Sequence, residues 1–264
     1  MTAEETTTIE KLAASLLNSL DGGFLWAYFL SSKIDYDPKT GIPREEELRN
    51  RFIGLADNHH KIHKALEYLN GYYKTRYARR YLKSFSECIK TTITQNQETL
   101  VDKILMGGNE DAPLFCEGVI THLLKNLKER EPTTNNPYSL VTKYLHFFKP
   151  NLFPIYDSQA CESWKLVIRD ISFEIPARTT WGHSDGQGYQ HICGFYRELW
   201  DKLSSWHDEV SSKVKILQEI FYPSITELET LDKFFWMASG RGELLFDYQT
   251  PAHLQLRHPL LRSG

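Results

Sequence analysis

The sequence predicts an all-α protein, and three observations predict it. Apolar residues recur at helical spacing along much of the chain, as in Leu48, Phe52, Leu55, Ile62, Leu66 and Leu69. Glycine and proline cluster between these runs, at Asp21-Gly22-Gly23, across Asp35 to Pro43 and across Pro176 to Gly188. Nowhere do strand-like and helix-like patterns alternate, as a parallel sheet with crossover helices would require.

Taken in order, the first helix is expected over Thr8 to Leu20, ending where Gly22 and Gly23 permit a left-handed cap. Phe24 to Leu30 is apolar throughout, so its pattern fits a buried strand and a buried helix equally. Helical spacing then covers Arg44 to Lys90, with Gly71 as a break, and a further helical stretch covers Gln97 to Leu105 before a turn at Met106 to Asn109. Leu114 to Leu127 places Val119, Leu123 and Leu127 on one face. The polar, proline-flanked segment Glu129 to Pro137 reads as a boundary. Two short helices follow it, then one long helix over Tyr189 to Leu217 and another over Glu227 to Ala238. After Gly240 the helical signal fades. The expected segments are therefore 1–130, an N-terminal helical lobe; 131–240, a second lobe; and 241–264, a tail.

Composition narrows the function classes. The chain has 264 residues, 41% of them hydrophobic and 25% charged, which is a globular balance. Its net charge is −3, so any grip on nucleic acid must be a local basic patch. The first residues are acidic where a secretion signal would be positive, and Phe24 to Leu30 is too short to cross a bilayer. Cys88, Cys116, Cys161 and Cys193 stand 28, 45 and 32 residues apart, without the close pairs of a zinc or iron–sulfur site. The expectation is a cytoplasmic protein with reduced thiols, no membrane, no metal and no cofactor.

The stretch Asn136 to Arg169 carries the chemistry. Asn136 and Pro137 form a helix-start signal, and Leu140, Val141, Tyr144, Leu145 and Phe148 make one apolar face. Lys143 falls at the edge of that face, beside Phe147, where its stem can lie on the core and its amine can reach a cleft. Lys149-Pro150-Asn151 stops the helix, and Leu152-Phe153-Pro154-Ile155 must run extended because residues before proline avoid helical angles. Asp157 then sits at the N-cap of a helix over Ser158 to Arg169, where backbone N–H groups favour an ionised carboxylate. An amine and a held anion suit chemistry through a sugar oxocarbenium ion.

On these residues the segment resembles the helix–hairpin–helix DNA glycosylase superfamily, and within it the bacterial 8-oxoguanine DNA glycosylase-like branch. The matching strings are Thr142-Lys143, LHFFKPNLFPIYDS ending at Asp157, and Leu231-Asp232-Lys233-Phe234-Phe235-Trp236. The resemblance implies a two-lobed helical fold with an active-site cleft between the lobes. It also implies a monomer that flips a damaged or modified base from double-stranded DNA and cleaves its N-glycosidic bond. In that scheme Lys143 is the amine that attacks the anomeric carbon, and Asp157 stabilises the cation and helps move protons. Two departures shape the expectation. Thr133 to Ser139 lacks the glycines of the usual hairpin, and Lys143 precedes Asp157 by only 14 residues. Base excision is therefore expected ahead of an accompanying strand-cleaving lyase step. The substrate is oxidised guanine, or a hypermodified base of phage DNA in an antiviral role.

Other clusters compete for attention. Lys74, Arg76, Arg79, Arg80 and Lys83 interleave with tyrosines and could contact DNA phosphates, or could form a solvated helix face. His59 and His63, near Asp57 and His60, have the spacing of a metal pair but nothing completes a site, so a surface helix is expected. Arg178 and His183 have the spacing of certain helical ribonucleases, although the surrounding glycines favour a loop. Two alternatives to a glycosylase thus stand: a non-catalytic helical nucleic-acid-binding or scaffold protein, and a helical ribonuclease using Arg178 and His183.

Overall fold

The computed structural model describes residues 2–53, 59–73, 79–94, 112–131, 137–173, 186, 188–239 and 242–246. Among them the fold is helical, with one isolated antiparallel bridge, Tyr36 to Pro43, closing the loop that the prolines predict. No helix there is long and apolar enough to cross a membrane.

The first helix, α1, covers Ala3–Leu20 and starts earlier than its apolar spacing suggests. Thr2 is the reason. Its hydroxyl accepts from Glu5 N at 3.1 Å while the Glu5 carboxylate accepts from Thr2 N at 2.6 Å, a reciprocal cap. The threonines at positions 6, 7 and 8 are tolerated because each hydroxyl bonds back one turn, at 3.0 Å. Gly22, at φ +79°, then allows the chain to leave α1 in a left-handed turn. The ambiguous run that follows is a helix, α2, Phe24–Ser32. The hydroxyls of Ser31 and Ser32 accompany its last turn, donating to the carbonyls of Tyr28 and Phe29.

The remaining elements are α3 (Arg44–Asn50), α4 (His59–Tyr72), α5 (Arg79–Thr94), α6 (Ala112–Arg130), α7 (Tyr138–Phe148), α8 (Ser158–Asp170), α9 (Tyr189–Lys202), α10 (His207–Ile220), α11 (Glu227–Met237) and α12 (Gly242–Phe246). The expected long helix over Tyr189 to Leu217 is instead two. A single 3-10 turn, Ser204–Trp206, separates α9 from α10. The apolar rhythm runs through both, so spacing alone joins them. The serines and the acidic pair Asp208 and Glu209, suited to a new N-terminus, divide them. After Gly240 the fading helical signal understates the structure. Leu244 and Leu245 are fully buried, and the Ser15 hydroxyl donates to Leu244 O at 2.8 Å, docking α12 on α1. The stretches Gln97 to Leu105 and Met106 to Asn109 lie outside the described residues.

Two compact units form, and each is drawn from separated parts of the sequence rather than from the contiguous segments 1–130, 131–240 and 241–264. Unit 1 takes its described residues from Met1–Glu46, Asp157–Ala177 and Phe195–Gly264. In it α1 packs on α2, α10 and α12, and α11 packs on α2, α8 and α10. Aromatic rings fill this core: Phe24 lies 5.6 Å from Phe234, Phe29 6.0 Å from Phe221, and Trp164 5.8 Å from Tyr196. Unit 2 takes its residues from Glu47–Tyr156 and Arg178–Gly194. There α4 packs on α5 and α7, and α6 packs on α5 and α7. The described residues on both sides of the expected boundary at Glu129 to Pro137 thus belong to the same unit 2. Apolar faces on both sides of it, Leu123 and Leu127 on α6 and Val141 and Leu145 on α7, are buried in the same core. All four cysteines are free thiols, three of them buried.

Tyr144 sits deep in unit 2, its ring 5.3 Å from Phe52 and its hydroxyl without a hydrogen-bond partner. Burial pushes its phenol well above the ordinary value. A buried hydroxyl left unsatisfied costs free energy that phenylalanine would not. Tyr144→Phe is therefore expected to raise stability by about 1 kcal/mol, read as a higher urea midpoint at unchanged m-value; a lower midpoint would contradict the described packing.

Candidate active site

Asp157 opens α8. Its backbone is extended, at φ −132° and ψ 130°, and its Oδ1 accepts from Gln159 N at 2.9 Å, as an N-cap should. The helix behind it is firmly seated within unit 1. Ser163 Oγ donates to Phe235 O of α11 at 2.8 Å, and Ser239 Oγ, just past α11, donates back to Glu162 of α8 at 3.0 Å. Deeper in the unit, Tyr196 Oη donates to Asp232 at 3.3 Å. Burial, and then the Asp232 carboxylate, hold that phenol well above its ordinary value. Asp232 and Lys233, from the second matching string, are both buried in α11, and the Lys233 amine lies 5.4 Å from the centre of the Tyr28 ring.

Lys143 belongs to unit 2 and is only 3% exposed. Sequence spacing places it at the edge of the apolar face of α7; the side chain goes further in, among the residues that lysine normally avoids. Its Nζ donates to Ser139 Oγ at 2.7 Å and lies 5.1 Å from the centre of the Tyr73 ring. Phe147, the neighbour expected for it, stands 6.1 Å from that same ring.

After the turn at Lys149 to Leu152, Phe153, Pro154 and Ile155 are buried outside any helix or strand among the described residues, so side chains satisfy much of the backbone there. His146 Nδ1 donates to Phe153 O at 2.8 Å, which fixes the proton on that nitrogen because a carbonyl can only accept. Tyr189 Oη donates to Pro154 O in a short hydrogen bond. Tyr156 N donates to Thr142 Oγ1 at 3.3 Å, and Tyr156 O accepts from Ser139 Oγ at 3.5 Å. Ser139 therefore touches both the Lys143 amine and the carbonyl of the residue before Asp157.

Tyr189 is itself aimed by the start of α9. The Glu117 carboxylate, from α6, accepts from Gly188 N at 2.9 Å and Gln190 N at 3.1 Å, capping that helix from outside. Gly186, at φ +89°, approaches α6 so closely that an added Cβ would meet Ile120 and Thr121 atoms at 3.0 Å. Spacing alone identifies none of Ser139, Thr142, His146, Glu117 and Tyr189. Only the pairing of Ser139 with Lys143 four residues later carried a visible signal, that of neighbours on one helix face.

The other sequence candidates divide as follows. Lys83 is exposed on α5, and Arg79 and Arg80 fall in the first turn of that helix; Lys74 and Arg76 lie outside the described residues. His60 is exposed and His63 faces Glu67 at 3.7 Å, while Asp57 lies outside the description. No group of three or more metal-ligating side chains occurs among the described residues. Arg178 and His183 lie outside them. No family model, no curated protein and no solved structure matches the chain.

Two substitutions test the scaffold of the run. Glu117→Ala is expected to cost about 1–2 kcal/mol by stripping the cap from α9, and Gly186→Ala about 1–3 kcal/mol through positive φ and crowding. Both are read by chemical denaturation, and wild-type midpoints in both would refute the arrangement.

Proposed function

We propose that the protein is a DNA glycosylase that excises a damaged or modified base from double-stranded DNA. The observation that carries this reading is the burial of Lys143 together with its link, through Ser139, to the backbone immediately before Asp157. Lysine is almost never fully buried unless its amine is paired. The string from Lys143 to Asp157 also resembles the active segment of the helix–hairpin–helix glycosylases.

In this reading the target base is flipped from the duplex and the C1′–N bond breaks, its electron pair leaving on the base. The Asp157 carboxylate stabilises the resulting oxocarbenium charge. Water, or the Lys143 amine, then bonds to C1′. Base release is expected ahead of strand cleavage, because the lysine stands close before the aspartate in sequence. Oxidised guanine and the hypermodified bases of phage DNA are the two substrate classes, corresponding to repair and to antiviral defence. Lys83 on α5, with Arg79, Arg80, Lys74 and Arg76, would supply the phosphate contacts that the acidic chain otherwise lacks.

One observation favours a second reading. The Asp157 carboxylate makes the bond of an ordinary N-cap, which suits a helical nucleic-acid-binding or scaffold protein without chemistry. Asparagine caps a helix about as well as aspartate but carries no charge. Asp157→Asn thus separates the two readings. On duplexes bearing a panel of oxidised and hypermodified bases, the wild type is expected to release at least one base. Asp157→Asn is expected to lose about 100-fold or more of that rate with an unchanged helical circular dichroism signal. No release by the wild type from any duplex, or equal release by the variant, would sink the glycosylase proposal.

A further inference from the structure

We propose that Ser139 is the positioning residue of the Lys143 amine, holding it in register with the backbone that leads into Asp157. The role it serves in catalysis rests on the glycosylase reading; the hold itself does not. Ser139 lies in the first turn of α7, and Lys143 is one turn further on. Long helical side chains lean back towards the N-terminus of their helix, so the lysine stem runs along α7 towards the serine. The hydroxyl accepts from Nζ at 2.7 Å and spends its own proton on Tyr156 O at 3.5 Å. One hydroxyl can do both at once, having two lone pairs and one donor.

The arrangement is not a helix cap. A serine at a helix start ordinarily accepts from backbone N–H groups two or three residues on. This one turns to an amine on its own helix and to a carbonyl 17 residues away. The Tyr73 ring, 5.1 Å from the amine, adds a cation–π contact. The amine is thereby tied to the same segment that Thr142, His146 and Tyr189 fix. A displacement of that segment would carry the amine with it. For a reaction at an anomeric carbon, an amine displaced by an ångström loses rate while leaving DNA binding alone.

The test has two arms on the full chain. In the first, lysines are acetylated with limiting reagent and each site is quantified by mass spectrometry, with the buried Lys233 as internal reference. Ser139→Ala is expected to speed labelling of Lys143 relative to Lys233 about tenfold, the fold-change of losing one hydrogen bond to a charged group. Ser139→Thr, which keeps the hydroxyl, is expected to label as wild type. Equal Lys143 labelling in all three proteins overturns the proposal. So does faster labelling of Lys143 and Lys233 together, which would mark general loosening. In the second arm, on a duplex whose base the wild type releases, Ser139→Ala is expected to lower kcat about tenfold with KM unchanged, and threonine to restore it. A change confined to KM overturns the positioning role. If labelling responds as expected while the wild type releases no base from any duplex, the hold on the amine is supported and the glycosylase reading alone falls.

Discussion

A largely buried segment outside helix and strand must find its hydrogen bonds elsewhere, and the stretch from Phe153 to Tyr156 meets that demand with side chains. His146, Tyr189, Thr142 and Ser139 each address one of its backbone groups. Pro154 reduces the demand by bringing no N–H of its own. The consequence is a short peptide whose path is specified at nearly every residue. What emerges from it, Asp157, begins a helix that is itself tied to α11 through Ser163 and Ser239. The position of Asp157 within its own unit is thus set by the apolar packing of Ala160, Trp164 and Val167 on α8 together with these more directional polar contacts.

The same logic distinguishes Lys143 from Lys233. Both are buried lysines set near aromatic rings, Tyr73 for the first and Tyr28 for the second. Lys143 is joined through a hydroxyl to the segment that precedes an aspartate. Burial by itself does not mark a functional lysine. Burial combined with a polar tie to a conformationally fixed segment is a narrower condition.

Local signals in the sequence were legible where they rest on backbone chemistry. Lys149-Pro150-Asn151 stops α7, Phe153 before Pro154 stays out of helix, and Asp157 caps α8, each as residue type alone requires. The all-α class followed from periodicity for the same reason. Signals that depend on a partner far along the chain were not legible. The inward turn of Lys143 depends on Ser139 and on Tyr73, 70 residues earlier in sequence. The separation of α9 from α10 hides behind an unbroken apolar rhythm. Helix α12 reads as weak because its stability comes from docking, with Leu244 and Leu245 buried and Ser15 bonded to its backbone. Nor could spacing reveal that Asp157–Ala177 and Phe195–Gly264 join Met1–Glu46, since that association is purely tertiary.

This interleaving bears on how the chain comes to be folded. On a ribosome α1 emerges well before α10 and α12, the later helices that pack on it and on its buried Ile9, Leu12 and Leu16. Unit 2 has all its described helices except the start of α9 by Tyr156, and so can close early on contacts of modest sequence separation. Helix α1, meanwhile, must carry an uncovered greasy stripe until those later helices have been made. That makes the nascent chain a natural client for chaperones and leaves α1 open to misassociation in the interval.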